Sequence, residues 1–261
     1  MSTPGTAGSR EHGPAPAASR VLAQGRYEIL AMLKNGEQLM LLIIFPLLGL
    51  IALARTTVLD AAAQNLGTSV LGAAVPGILT VCILSAALTG QGIATGFDRR
   101  YGVLRFLSTT PLGRGGLILG KAIAVTCVVT LQVLLISGVA VLLGWEGDLL
   151  GVLLAVPALL LGITAFTALG LLIAGTIRAE ATLAVVNTLW VLLAAAGGAV
   201  FPISGFPQTL TGVAQLLPSA ALGDALRAAL IEHAADLPAW GVLALWTVLA
   251  GLLARRFFRW S

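Results

Sequence analysis

The sequence predicts an all-α membrane protein. It should carry six transmembrane helices, an N-terminal interfacial helix and a re-entrant outer segment between spans five and six. Three observations point there. Of the 261 residues, 58% are hydrophobic and only 10% charged, whereas a soluble domain carries about 25% charged residues. Apolar runs approaching the ~17–25 residues that cross a bilayer recur along the chain, and lipid offers no hydrogen-bond partners, so such runs must satisfy their own backbone as helices. The basic residues also gather on one side of the layer when the runs are threaded back and forth.

Residues 1–20, rich in Ser, Thr, Pro, Gly and Ala without an apolar period, read as a disordered cytoplasmic tail. The remainder, 21–261, reads as one six-span domain. Residues 21–37 place Leu22, Ile29, Leu30 and Leu33 on one face, with Arg26, Glu28 and Lys34 elsewhere. That pattern suits a short helix lying along the inner membrane surface. The spans follow as Leu39–Ala54 (interrupted by Pro46), Val75–Phe97, Ala122–Gly144, a stretch within Leu149–Ile177, Ala181–Phe201 and Ala239–Ala254. Trp240 and Trp260 suit the interface belt. Ala52-Leu53-Ala54 resembles a signal-peptide cleavage site, but the 38 residues ahead of Leu39 are too many for a signal peptide's lead-in.

Placing the N-terminus inside puts 13 of the 15 basic residues on inner segments and leaves Arg55 and Arg227 outside. Both termini are therefore expected in the cytoplasm. The positive charge is a topology signal, which removes the case for nucleic-acid binding. Arg-, Ala- and Gly-rich usage hints at a bacterial source, hence a plasma membrane.

Chemistry-bearing motifs are few. Gly115–Ala122, GGLILGKA, approaches a phosphate-binding loop, but position 122 is Ala where a hydroxyl must hold magnesium, and no strand precedes it. Lys121 and Arg114 instead mark the inner end of span three, with Gly116 and Gly120 allowing close helix approach. Cys82 and Cys127 read as small buried hydrophobes. The span interiors are expected to hold no charged residue, which disfavours ion-coupled carriers and intramembrane enzymes alike. Gln91, Gln132 and Asn187 are either helix–helix glue or polar points along a substrate path, and Gly92-x-x-x-Gly96 reads as a packing face.

Two segments rise above composition. The inner loop 98–120 carries Arg99, Arg100, Arg105 and Arg114 interspersed with Tyr101, Val103, Leu104, Phe106 and Leu107, which suits either docking on a protein partner or simple topology setting. The outer segment 202–236 is too apolar for an ordinary loop. It combines Pro202, Pro207 and Pro218 with an Asp224–Arg227 pair at helical spacing, and reads as short helices dipping back into the bilayer.

The order of these parts resembles the type-2 ABC transporter permeases. Arg99, Gly102, Leu104, Leu107, Thr110, Pro111, Leu112, Arg114, Gly120 and Lys121 match that family's inner-loop pattern, and Phe201, Pro202, Pro207, Leu210, Pro218 and Arg227 its outer one. Many relatives carry glutamates around the loop glycine where this chain has Arg100 and Arg105. The resemblance implies a half-transporter exporting a hydrophobic or amphipathic compound. It would pair with a second permease, identical or paralogous, within membrane lipid. A separate ABC ATPase subunit would hold ATP and magnesium, and this chain would bind no cofactor. Asp98, Arg99, Arg100, Tyr101, Arg105 and Arg114 would couple to that subunit. A membrane scaffold or assembly factor shares the same spans, and a membrane-embedded enzyme is a more distant alternative.

The topology is testable by cysteine labelling on a background lacking Cys82 and Cys127. Cysteines at positions 60 and 236 are expected to react with an impermeant reagent from outside, and those at 105 and 259 only from inside. Outside labelling at 105 would contradict the six-span map.

Overall fold

The computed structural model describes residues 15–199 and 212–258, where every regular element is a helix. Pro202, Pro207, Trp260 and the first fourteen residues lie outside the described residues. Helix α1 (Ala17–Lys34) begins inside the stretch expected to be tail and ends before Glu37. Ala17 and Ala18 are strong helix formers, and Pro16 stands just ahead of the first turn, where its missing N–H removes no intrahelical bond. Asn35 breaks the chain and caps α2 (Gly36–Arg55), its side chain accepting from the Gln38 N–H at 3.1 Å.

A short helix α3 (Asp60–Asn65) leads to the long α4 (Val70–Arg100), which contains a π-helical stretch at Leu84–Gly90. After it come α5 (Val103–Ser108), α6 (Gly113–Leu142), α7 (Leu149–Thr176), α8 (Ala179–Ala196), α9 (Pro218–Leu230) and α10 (Leu237–Phe257). Among the described residues five helices, α2, α4, α6, α7 and α10, are long and apolar enough to cross a membrane, and α8 supplies a shorter apolar sixth.

The bundle is built around α4. Its most apolar stretch is 78% buried, against 17% for α2 and 22% for α10. It packs on α2, α6, α7, α8 and α9. Small residues permit this. A Cβ at Gly170 of α7 would lie 2.7 Å from the Leu88 carbonyl oxygen and 3.1 Å from that of Ala87, both in the π-helical stretch. Gly92 faces Val186, and Gly96 faces Thr182, as the packing-face expectation requires. Trp190 of α8 adds a 3.0 Å hydrogen bond from its indole N–H to the Ser85 hydroxyl.

Pro46 was expected to interrupt span one, yet α2 runs through it. Its missing N–H frees the Leu42 carbonyl, one turn back, and the Gln132 amide of α6 donates to that carbonyl. A neighbouring helix thus repairs the break, as membrane bundles commonly do. Cys127 also departs from expectation. Cys82 is buried, but Cys127 faces outward on α6.

Of the segment 202–236, expected to be re-entrant, residues 212–236 are described, and nearly all residues of its helix α9 are buried. Leu222 packs on Gly162, halfway along α7, while the Ala229 carbonyl abuts Gly151 near the start of α7. The helix therefore climbs from the middle of the bundle to one end. Asp224 and Arg227 pair at 3.0 Å, and Arg227 also donates to the Gly198 carbonyl at 2.8 Å.

Gly170→Ala is expected to force α7 off α4. Overpacking of this kind costs roughly 1–3 kcal/mol, so the thermal unfolding midpoint in detergent should fall. Gly138→Ala is the control, because a Cβ there meets nothing within 4 Å. Equal midpoints for the two variants would contradict the close α4–α7 contact.

Candidate functional site

One end of the bundle gathers Arg99, Arg100, Arg105, Arg114, Arg178, Arg255 and Arg256 at helix termini and turns. At this basic end α1 lies against α6, its polar side turned inward and Leu22, Leu30 and Leu33 exposed. Two glycines bring the backbones together. A Cβ at Gly120 would sit 2.7 Å from Gln24 Cγ and 3.3 Å from the Gly25 nitrogen, and one at Gly25 would sit 3.2 Å from Ile123.

The residue after Gly120 uses this closeness. Lys121, fully buried, places Nζ 2.9 Å from Glu28 Oε1 of α1 and 3.0 Å from Asp98 Oδ2 of α4. Gln24, one turn before Glu28, donates to the same Glu28 oxygen at 2.8 Å. Lys121 lies about two turns into α6, ahead of the apolar run from Ala122. Its charge is tolerated there because two carboxylates face it.

Asp98, Arg99 and Arg100 are consecutive on α4 and diverge by about 100° each, as helix geometry dictates. Asp98 turns to Lys121. Arg99 turns to the last turn of α7, donating to the Ala174 carbonyl at 3.0 Å and to that of Ile177. A cation there complements the helix dipole and satisfies terminal carbonyls. Arg100 reaches Glu180 of α8 at 2.6 Å, with both side chains largely exposed; such a pair adds little stability.

Beyond Arg100 the chain reverses. Gly102 takes φ 78°, a left-handed conformation that glycine adopts without penalty, and α5 follows. Leu104, Leu117 and Phe258 form a small buried core under α5, with Leu107 and Leu112 against it. Arg20 of α1 donates to the Pro111 carbonyl in the next turn. The segment expected as a loop is therefore a helical hairpin fixed on three sides. Its outer surface presents Tyr101 (73% exposed), Phe106 (70% exposed), Arg105 and Arg114. Tyr101 stacks on Phe97 with centroids 6.0 Å apart.

The six residues expected to couple thus divide. Tyr101, Arg105 and Arg114 face outward, Arg100 is partnered at the edge, and Asp98 and Arg99 hold the framework. The helical positions of Asp98 and Arg99 aim them at α6 and α7. Glu28 was not singled out. The signal that could have found it is Gln24-Gly25 and Glu28 at one-turn spacing on a helix ending against the span. The near-P-loop segment is helical, and Lys121 within it is engaged by carboxylates.

The three polar span residues do not assemble. Gln91 is buried, its amide 3.4 Å from Met32 Sδ. Gln132 repairs the Pro46 break, and Asn187 is exposed on α8.

Residues 51–256 match a family model described as ABC-2 family transporter protein. No curated protein matches the chain. The matched region includes Asp98 and Lys121 but begins after α1, so Glu28 lies outside it.

Lys121→Met leaves two facing carboxylates without their cation. Breaking a buried ion pair costs about 3–5 kcal/mol, so a large drop in the unfolding midpoint is expected. Adding Glu28→Gln and Asp98→Asn to Lys121→Met should recover most of it. A triple variant as unstable as the single one would contradict the electrostatic account.

Proposed function

From the premise that this chain belongs to the ABC-2 family of transporter proteins, we propose that it is the permease half of an exporter driven by ATP on a separate subunit. The membrane-subunit role follows from family membership. The direction of transport, the ATP coupling and the class of cargo are the proposal. The observation that carries it is the surface at the basic end, where Tyr101, Phe106, Arg105 and Arg114 stand exposed on a hairpin braced by α1, α6 and α10. Aromatic residues and arginine are the types enriched in protein interfaces. Exposed aromatic rings beside arginines that make no ion pair among the described residues suit a folded partner better than a purely topological loop.

In this reading the partner ATPase binds the basic end, and the clustering of arginines there supports a cytoplasmic location for it. The hairpin then acts as a lever. Closure of the ATPases moves α5, and the buried ion cluster passes that movement to α1, α4 and α6 together. Nucleotide-dependent binding biases two arrangements of the permease. Cargo passes between two permeases. Support comes from α2 and α8, whose apolar faces, including Phe45, Leu48, Leu183 and Val191, are uncovered in a single chain. The walls suit a hydrophobic or amphipathic cargo.

Two measurements test the proposal. Purified alone, the chain should hydrolyse no ATP; turnover without a partner would overturn the subunit assignment. Arg105→Glu with Arg114→Glu should leave insertion intact, since neither side chain makes an ion pair among the described residues. The same change should cut co-purification of the cognate ATPase at least tenfold and abolish transport. Truncating one side of a desolvated interfacial charge pair costs ~2–5 kcal/mol. Undiminished pull-down and transport at matched membrane levels would contradict the docking surface.

A further inference from the structure

We propose that the opposite, acidic end holds a binding site for an amphiphile with a cationic head group, in a cleft between α6, α7 and α9. Two cavities adjoin there, of about 360 and 270 Å³, and Trp145 and Leu230 line both. Together they reach the size range of small-molecule sites, roughly 300–1,000 Å³.

The two compartments differ in chemistry. The larger is polar, with Thr68, Ser69, Glu146 and His233 in its wall. The smaller is apolar, with Val129, Val133, Leu134, Val156, Leu160 and Ile163 in its wall. Leu134, Val156 and Leu160 are also exposed on the flank of the bundle, so the apolar compartment opens sideways, where a membrane span meets hydrocarbon. A polar chamber joined through one tryptophan to a lipid-facing slot matches a ligand with a head and a tail. Trp145 suits the junction, because an indole has an apolar body and a polar edge.

Charge selects the head. Among the described residues no lysine or arginine lines either compartment. Arg227, three residues before Leu230, is turned to Asp224 and the Gly198 carbonyl instead. Asp148 and Asp236 are used as helix caps. Glu146 makes no ion pair among the described residues and stands in the wall of the polar compartment. Glu146 is exposed, so its carboxylate is free to meet a cationic head group entering that compartment. His233 holds a left-handed backbone (φ 53°) at the same wall, a conformation uncommon for residues other than glycine.

The claim concerns binding alone. It goes beyond the ATP-driven reading, needs no partner subunit, and would survive that reading's failure. The test uses the purified chain in a neutral detergent, titrated with an alkyl trimethylammonium brominated on its chain. A sulfate of the same chain is the comparison, and tryptophan fluorescence reports quenching. Saturable quenching is expected at a concentration at least tenfold lower for the cation. Trp145→Phe should remove the saturable component. Glu146→Gln, at an exposed position, should shrink the preference for the cation at least fivefold. Relief of quenching by phosphatidylethanolamine but not phosphatidylglycerol would identify an amine-headed membrane lipid as the natural occupant. Relief by neither, with the preference intact, would identify a soluble amphiphile. Quenching that never saturates, that is equal for cation and anion, or that survives both substitutions overturns the site.

Discussion

A buried ammonium placed between carboxylates from two other helices sets the geometry of the basic end. Lys121 stands 2.9 Å from Glu28 and 3.0 Å from Asp98, with no exposure to solvent. In such surroundings charges are costly unless each has a partner. The position of any one helix is therefore tied to those of the other two. The glycine contact between Gly25 and Gly120 is what lets α1 come near enough for Glu28 to reach. Ion cluster and backbone crossing depend on each other, and the hairpin around α5 inherits its position from both.

The same end shows how one helix can address several neighbours with adjacent residues. The three charges ending α4 contact α6, α7 and α8 in turn. Farther along α4, the π-helical stretch brings the Ala87 and Leu88 carbonyls against Gly170. Single-turn π-helical insertions are frequent at functional sites, and this one lies between the ion cluster and the half of the bundle that holds α9.

The spans were legible because a bilayer demands long apolar runs, and the composition leaves no other fold for them. Their ends were less so. Asp98–Arg100 look like loop by polarity, yet α4 continues through them because each side chain finds a partner on another helix. Glu28 and Lys121 are far apart in the chain, so nothing in the sequence states that they meet; only the register of α1 on α6 does. The role of Gln132 was hidden for the same reason, because it answers a carbonyl freed by Pro46 on another helix. The exposed aromatic and basic character of Tyr101, Arg105, Phe106 and Arg114 was legible, since residues in a tight turn with no apolar run of their own have little core to enter. The cleft at the acidic end was not, because its walls come from four separate parts of the chain.

The central claim is that α1 and the α5 hairpin move as one body, held by the ion cluster. Pulsed electron paramagnetic resonance between spin labels at Arg26→Cys of α1 and Ser108→Cys of α5, both exposed positions, on a background lacking Cys82 and Cys127, tests it most directly. The measurement is made on the assembled transporter with and without trapped nucleotide. The account predicts one narrow distance distribution, the same in both states. A distribution that shifts or splits with nucleotide while the complex stays assembled would contradict it.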